Sequence, residues 1–275
     1  MSAATRWFIF SALLALVVAA LLHVLFLLGY ATLWPAWTHL LLLGWISAMI
    51  YAVNYHIMPV FSGRNFPAGG LIAAHGITLT TGVTAATIGL AQAWQPAVII
   101  GLTLELGSAL LFVANTILLF RYGPPRADRP PRPMIAGQTR VDRAGAQATK
   151  TAGMCLPLAL ALLLGVQLGW LDGSWHLAAQ HLITLGWVLL MIIGVAYHML
   201  PRWSGRAVRG PTWTAVQLGS HLAALVLIVA ALGGGWAALF ALGGALMALS
   251  LAIFAWTIWP TLAPPERMIL EEHLQ

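Results

Sequence analysis

Charge is what this chain has least of. Only 7% of its 275 residues are charged, against 60% hydrophobic, and mean hydropathy is +0.88. A soluble domain carries charge on about a quarter of its residues, so a water-soluble fold is excluded. Cysteine is nearly missing too: Cys155 stands alone. One thiol excludes a disulfide framework, a thiolate metal cluster and the attachment motif of a c-type haem. Carboxylates are absent from the apolar interior apart from Glu105. Arg6 and the apolar run after it imitate a signal peptide, but a run of about 24 residues is too long for that role and predicts an uncleaved first span.

What is present reads as an all-α polytopic membrane protein. Apolar runs at about 7–30, 34–59, 68–91, 95–120, 152–171, 175–200, 211–233 and 236–260 each reach the length of roughly 20 residues that a bilayer-crossing helix needs. Trp34, Trp37, Trp94, Trp170, Trp175 and Trp236 mark one set of helix ends, and Trp7, Trp203, Trp213, Trp256 and Trp259 the other, as interfacial belts do. In this eight-span arrangement all 13 Lys and Arg, among them Arg6, Arg64, Arg129, Arg132, Arg140, Arg143, Lys150, Arg202, Arg206, Arg209 and Arg267, fall on one side. The loops near 31–33, 92–94, 172–174 and 234–235 contain none. The positive-inside rule then predicts cytoplasmic termini in an inner, cytoplasmic membrane. The net charge of +6 is a topology signal and excludes a nucleic-acid partner as its explanation; the lipid bilayer is the partner it implies.

The chain also repeats itself. HLLLLGWISAMIYAVNYHIMPVFSGR at 39–64 and HLITLGWVLLMIIGVAYHMLPRWSGR at 181–206 match at 14 of 26 positions when slid by 142. Four spans fall in each half, which predicts two parallel four-helix repeats, 1–120 and 151–275. Between them, 121–150 is rich in Pro, Arg and Gly and reads as an extended cytoplasmic linker. The tail from Pro264 to Gln275 is short and polar.

Both copies place imidazoles inside the membrane, where they are costly and usually functional. His39 and His181 lie at equal depth, about five residues inside the outer boundary. Two such imidazoles facing each other are the axial pair of one haem iron; the bland alternative is a pair of histidines hydrogen-bonded across helices. His56 and His198 follow 17 residues later, about 25 Å further along and near the cytoplasmic ends. With His75 and His221 they read as ligands of a second haem or a copper ion, or as helix-end and packing histidines. His23 approaches the outer level, His176 sits at an outer helix start and His273 in the tail. Trp45 and Trp187 pack on a porphyrin or simply beside Gly44 and Gly186. Glu105 handles a proton or partners a buried polar group.

The repeated segment resembles helix ten of the haem-copper oxidase catalytic subunit. The likeness rests on His39 and on His56-Ile57-Met58-Pro59-Val60-Phe61-Ser62-Gly63 after it. It implies a low-spin haem ligated by His39 and, through the repeat, by His181. The segment is also similar to NnrS-type membrane proteins, a haem- and copper-containing family linked to nitric oxide stress. The chain departs from the oxidases in having eight spans, no His-His pair and no His-x-x-x-Tyr, which implies that the haem is kept without the oxygen-reducing copper.

Taken together, these features predict a membrane protein with haem b between His39 and His181, serving electron transfer or a redox or gas response, with quinol or a redox partner protein as its electron-exchange partner. The rival readings are a haem- and copper-binding protein of nitric oxide metabolism, and a transporter or assembly scaffold without haem.

Overall fold

A computed structural model of the chain describes residues 2–127 and 135–262. Arg129, Arg132, Arg267, His273 and the polar tail lie outside the described residues. Among the described residues eight helices are long and apolar enough to cross a membrane: α1 (Ala3–Leu27), α2 (Ala31–Ser62), α3 (Gly69–Ala91), α4 (Gln95–Tyr122), α5 (Gln138–Gln167), α6 (Ser174–Ser204), α7 (Trp213–Gly234) and α8 (Ala237–Leu262). Their packing forms two compact units, Met1–Pro130 with Gly153–Val188, and Pro131–Ala152 with Leu189–Gln275. Both α5 and α6 contribute to each unit, so division by packing differs from division by sequence repeat.

One expectation is corrected outright. The stretch 138–150 is the first part of α5 and not extended linker. Val141, Ala144, Ala148 and Ala152 recur every three or four residues and are buried, so an apolar face lies under the Arg and Gly content that suggested a linker. Val141 joins Ile193, Tyr197, Val208 and Ile258 in the core of the second unit.

Prolines near the ends of α2 and α6 explain several polar contacts. Pro201 has no N–H for the carbonyl four residues back, at Tyr197. Gln138 replaces it: its Nε2 donates to the Tyr197 carbonyl at 3.2 Å. Both helices run on to a left-handed glycine, Gly63 with φ 66° and Gly205 with φ 69°, the conformation that suits glycine at a helix end. In each the preceding serine hydroxyl accepts the next arginine N–H at 3.2 Å, Ser62 from Arg64 and Ser204 from Arg206.

Similar contacts recur at positions 142 apart well beyond the 26-residue segment. Tyr55 hydrogen-bonds His75 at 2.7 Å and Asn115 at 3.0 Å. Tyr197 hydrogen-bonds Gln217 at 3.3 Å and Thr257 at 3.4 Å; each partner is the residue 142 further on. The turn after α3 closes with Trp94 N–H on the Gly89 carbonyl at 2.8 Å, and the turn after α7 with Trp236 N–H on Ala231 at 2.9 Å. These are six-to-one helix-ending bonds, which place a left-handed residue just before the tryptophan. That residue is Ala93 (φ 52°) in the first and Gly235 (φ 70°) in the second.

Glycine also sets how closely the helical hairpins pack. A Cβ on Gly101 would sit 2.4 Å from the Ala86 nitrogen, and one on Gly243 would sit 2.8 Å from Ile228 Cγ1. Side chains are thus excluded at the α3–α4 and α7–α8 crossings, where small residues let backbones approach.

Candidate functional site

The site is built on a change of helical pitch. In α2 the α-helical turn Trp34–His39 passes into a π-helical stretch, Leu40–Ile46, before α-helix resumes at Ser47. In α6 the same change follows His181, over Leu182–Leu189. Wide turns of this kind cluster at functional positions. Ser47 closes the first of them. Its N–H bonds the Leu42 carbonyl and its hydroxyl donates to that carbonyl at 2.9 Å. The same hydroxyl accepts Trp187 Nε1–H at 2.9 Å.

His39 begins the wide turn and is buried, 9% exposed. Its Nε2 meets Glu105 Oε1 of α4 at 2.8 Å. Glu105 is 2% exposed and its Oε2 has no hydrogen-bond partner. Room for the carboxylate comes from α3: a Cβ on Gly82 would lie 2.9 Å from Glu105 N and 3.0 Å from its Cγ. A buried carboxylate on one ring nitrogen is the arrangement that orients metal-binding imidazoles and makes them more basic. Nδ1 is then the nitrogen left for a ligand.

Beside His39 lies a cavity of about 300 Å³, with Thr38 and Trp34 on the α2 side, Leu163 of α5, and His176, Gln180 and Ile183 of α6. That volume is at the low end for small-molecule sites. His176, Gln180 and Ile183 share one helix face by their spacing of four and three. His181 is not among the lining residues: it is one residue, about 100°, round the helix from Gln180. His181 Nδ1 donates to the Leu177 carbonyl at 2.9 Å. A carbonyl can only accept, so Nδ1 is the donor in this contact. Asp172 accepts from the backbone N–H and hydroxyl of Ser174 at the start of α6, and these bonds lower its pKa.

The remaining histidines are engaged differently. His75 is fully buried in an aromatic shell, with ring centroids of Tyr51 at 4.3 Å and Phe8 at 4.9 Å; its Nδ1 is taken by Tyr55 and its Nε2 has no partner. His221 is fully buried 3.5 Å from the Ser250 hydroxyl. The residue 142 positions after His75 is Gln217, so His221 is not its counterpart in the repeat. His198 Nδ1 donates to Asp142 at 3.0 Å, and Arg202 holds the same carboxylate at 2.9 and 2.6 Å. His56 is exposed. Among the described residues no three His, Cys, Asp or Glu gather as a metal site. His23 stacks on Trp37 at 4.5 Å.

Trp187 is fully buried against Tyr51 and Phe112, with ring centroids 5.4 and 5.9 Å away, whereas Trp45 is only half-buried. Sequence reasoning offered Glu105 a buried polar partner without naming His39, because the two are 66 residues apart. It missed Asp142 altogether. The signal was the four-residue spacing from Gln138 to Asp142, a helical step inside what read as linker. The chain matches no known protein family, no curated protein and no solved structure.

Proposed function

We propose that this chain is a multi-pass protein of the cytoplasmic membrane, built as two parallel four-helix repeats with cytoplasmic termini. In this reading His39 and His181 hold the iron of one b-type haem near the outer face. The observation that carries it is the buried His39–Glu105 pair at 2.8 Å: a paired carboxylate on an intramembrane imidazole is the usual support of a metal ligand. The reading gains support from the wide turn that follows both histidines. The register of 142, extending to Tyr55, His75 and Asn115 with Tyr197, Gln217 and Thr257, supports duplication of whole four-helix sets.

A haem with two imidazole ligands and no open position supplies one-electron transfer. The protein's own contribution is to orient and exclude. Glu105 fixes the His39 ring, Gly82 leaves space for Glu105, and Trp34, Leu163 and Ile183 form the apolar wall beside the imidazole. The copper reading draws less support, since His56 is exposed and, among the described residues, no three His, Cys, Asp or Glu gather as a metal site.

The test is purification in mild detergent, followed by oxidised and dithionite-reduced visible spectra, a pyridine haemochrome assay and metal analysis. One haem b per chain, with no copper, is expected. A colourless, metal-free protein contradicts the proposal and favours a carrier in which the His39–Glu105 pair handles a proton.

A further inference from the structure

The second unit carries a set of cations that the haem reading does not use. Arg140 and Arg143 are exposed at the start of α5 and, with Thr139, Gly137 and Pro211, line a cavity of about 410 Å³. The two arginines are three residues apart on a helix, so their guanidinium groups extend from neighbouring positions on one face. Among the described residues the lining contains no carboxylate. Asp142, the acid between them in sequence, is occupied by Arg202, His198 and Gln138. Among the described residues neither Arg140 nor Arg143 enters an ion pair.

The surroundings set the level of this cavity. Gly137 (φ 72°) lies against Pro211, whose Cγ would be 2.5 Å from a Cβ there. Gly210, next to Pro211, abuts Trp213 and Trp256: a Cβ on it would be 2.9 Å from Trp213 Cδ1 and 3.3 Å from Trp256 Cη2. The Arg209 guanidinium lies over Trp256, 5.4 Å from the ring centre. Tryptophans at the ends of apolar helices sit at headgroup depth. The cavity therefore lies beside tryptophans of the kind that mark headgroup depth.

We infer that Arg140 and Arg143 bind the phosphodiester headgroup of an anionic glycerophospholipid, with the Thr139 hydroxyl as a further donor to its oxygens. Guanidinium groups match phosphate oxygens in pairs. A lipid with net negative charge suits two cations that have no ion-pair partner among the described residues. A zwitterionic headgroup would bring its own cation to a lining whose described residues offer no carboxylate to receive it.

The experiment is native mass spectrometry of the full chain in detergent, titrated with phosphatidylglycerol or phosphatidylcholine of the same acyl chains. Wild-type protein is expected to retain phosphatidylglycerol preferentially. Each guanidinium near a membrane surface is worth about fivefold in binding, so Arg140→Gln with Arg143→Gln should weaken phosphatidylglycerol by about twenty-fivefold and leave phosphatidylcholine unchanged. Arg140→Lys with Arg143→Lys, which keeps the charge, should retain most of the preference. Equal retention of both lipids by wild-type protein, or an unchanged preference in the glutamine variant, overturns the inference. So does displacement of phosphatidylglycerol by millimolar inorganic phosphate, which would make this a site for soluble anions. Both arginines are exposed, and circular dichroism of the variants verifies that the fold is intact.

Discussion

His39 and Glu105 meet at 2.8 Å across the interior of the first unit, an imidazole from α2 and a carboxylate from α4, both almost wholly removed from solvent. Burying either alone in an apolar bundle would be costly, and each offsets that cost for the other. Glu105→Gln keeps the shape and a hydrogen-bonding side chain but removes the negative charge. Loss of such a partner typically weakens metal binding by about 10- to 100-fold. On the proposed haem reading, haem content on purification should fall, and the haem that remains should have a higher midpoint potential. Unchanged haem content and potential would mean that Glu105 does not support the ligand.

Gly82 tests the same support from behind. A methyl group there would press on the Glu105 backbone and Cγ at about 3 Å. Overpacking a tight contact costs about 1–3 kcal/mol, so Gly82→Ala should lower the thermal midpoint in detergent and reduce haem content along with it. Gly107, with nothing within 4 Å of a built Cβ on the same helix as Glu105, is the control: Gly107→Ala should be neutral or mildly stabilising.

The two hairpin turns offer a test in the opposite direction. Ala93 adopts the left-handed conformation that Gly235 adopts 142 residues later. That conformation costs a residue with a Cβ about 1 kcal/mol more than glycine. Ala93→Gly should therefore stabilise the first unit by up to about 1 kcal/mol, and Gly235→Ala should destabilise the second by a similar amount. Calorimetry in one detergent compares both variants.

Gln138 and Asp142 hold the start of α5 to the end of α6. Gln138 supplies the donor that Pro201 denies the Tyr197 carbonyl, and Asp142 takes Arg202 and His198. Gln138→Leu leaves that buried carbonyl without a donor, at a cost of about 1–3 kcal/mol. Asp142→Asn should cost less, since the pair is partly exposed to solvent and screened. Proteolysis of the loop before α5 should accelerate more in the first variant than in the second.

Much of the fold could be read from the sequence because bilayer crossing imposes length and apolarity, which are local properties. The eight spans emerged that way. The start of α5 did not, because Arg140, Arg143 and Gly145 masked the buried stripe of Val141, Ala144 and Ala148. The site was legible only in part. A repeat aligned to His39 and His181 shows which residues are duplicated, but the partners of His39 are not duplicated. Glu105 aligns with Met247. The contact of Glu105 with His39 depends on how α2 and α4 are rotated, and that rotation is set by packing at Gly82 and by the pitch change after His39. The cavity facing His176 instead of His181 has the same origin: five residues along a helix leave the two about 140° apart around it.

The central claim is that His39 and His181 are the two iron ligands. Its most direct test is the low-temperature EPR spectrum of the ferric protein, recorded for wild type and for His39→Ala, His181→Ala and His176→Ala. A low-spin signal in wild type and in His176→Ala, lost or converted to high spin in each of the other two, is the predicted result. A low-spin signal that survives His181→Ala but vanishes in His176→Ala would contradict the assignment and move the second ligand to the cavity wall facing His39.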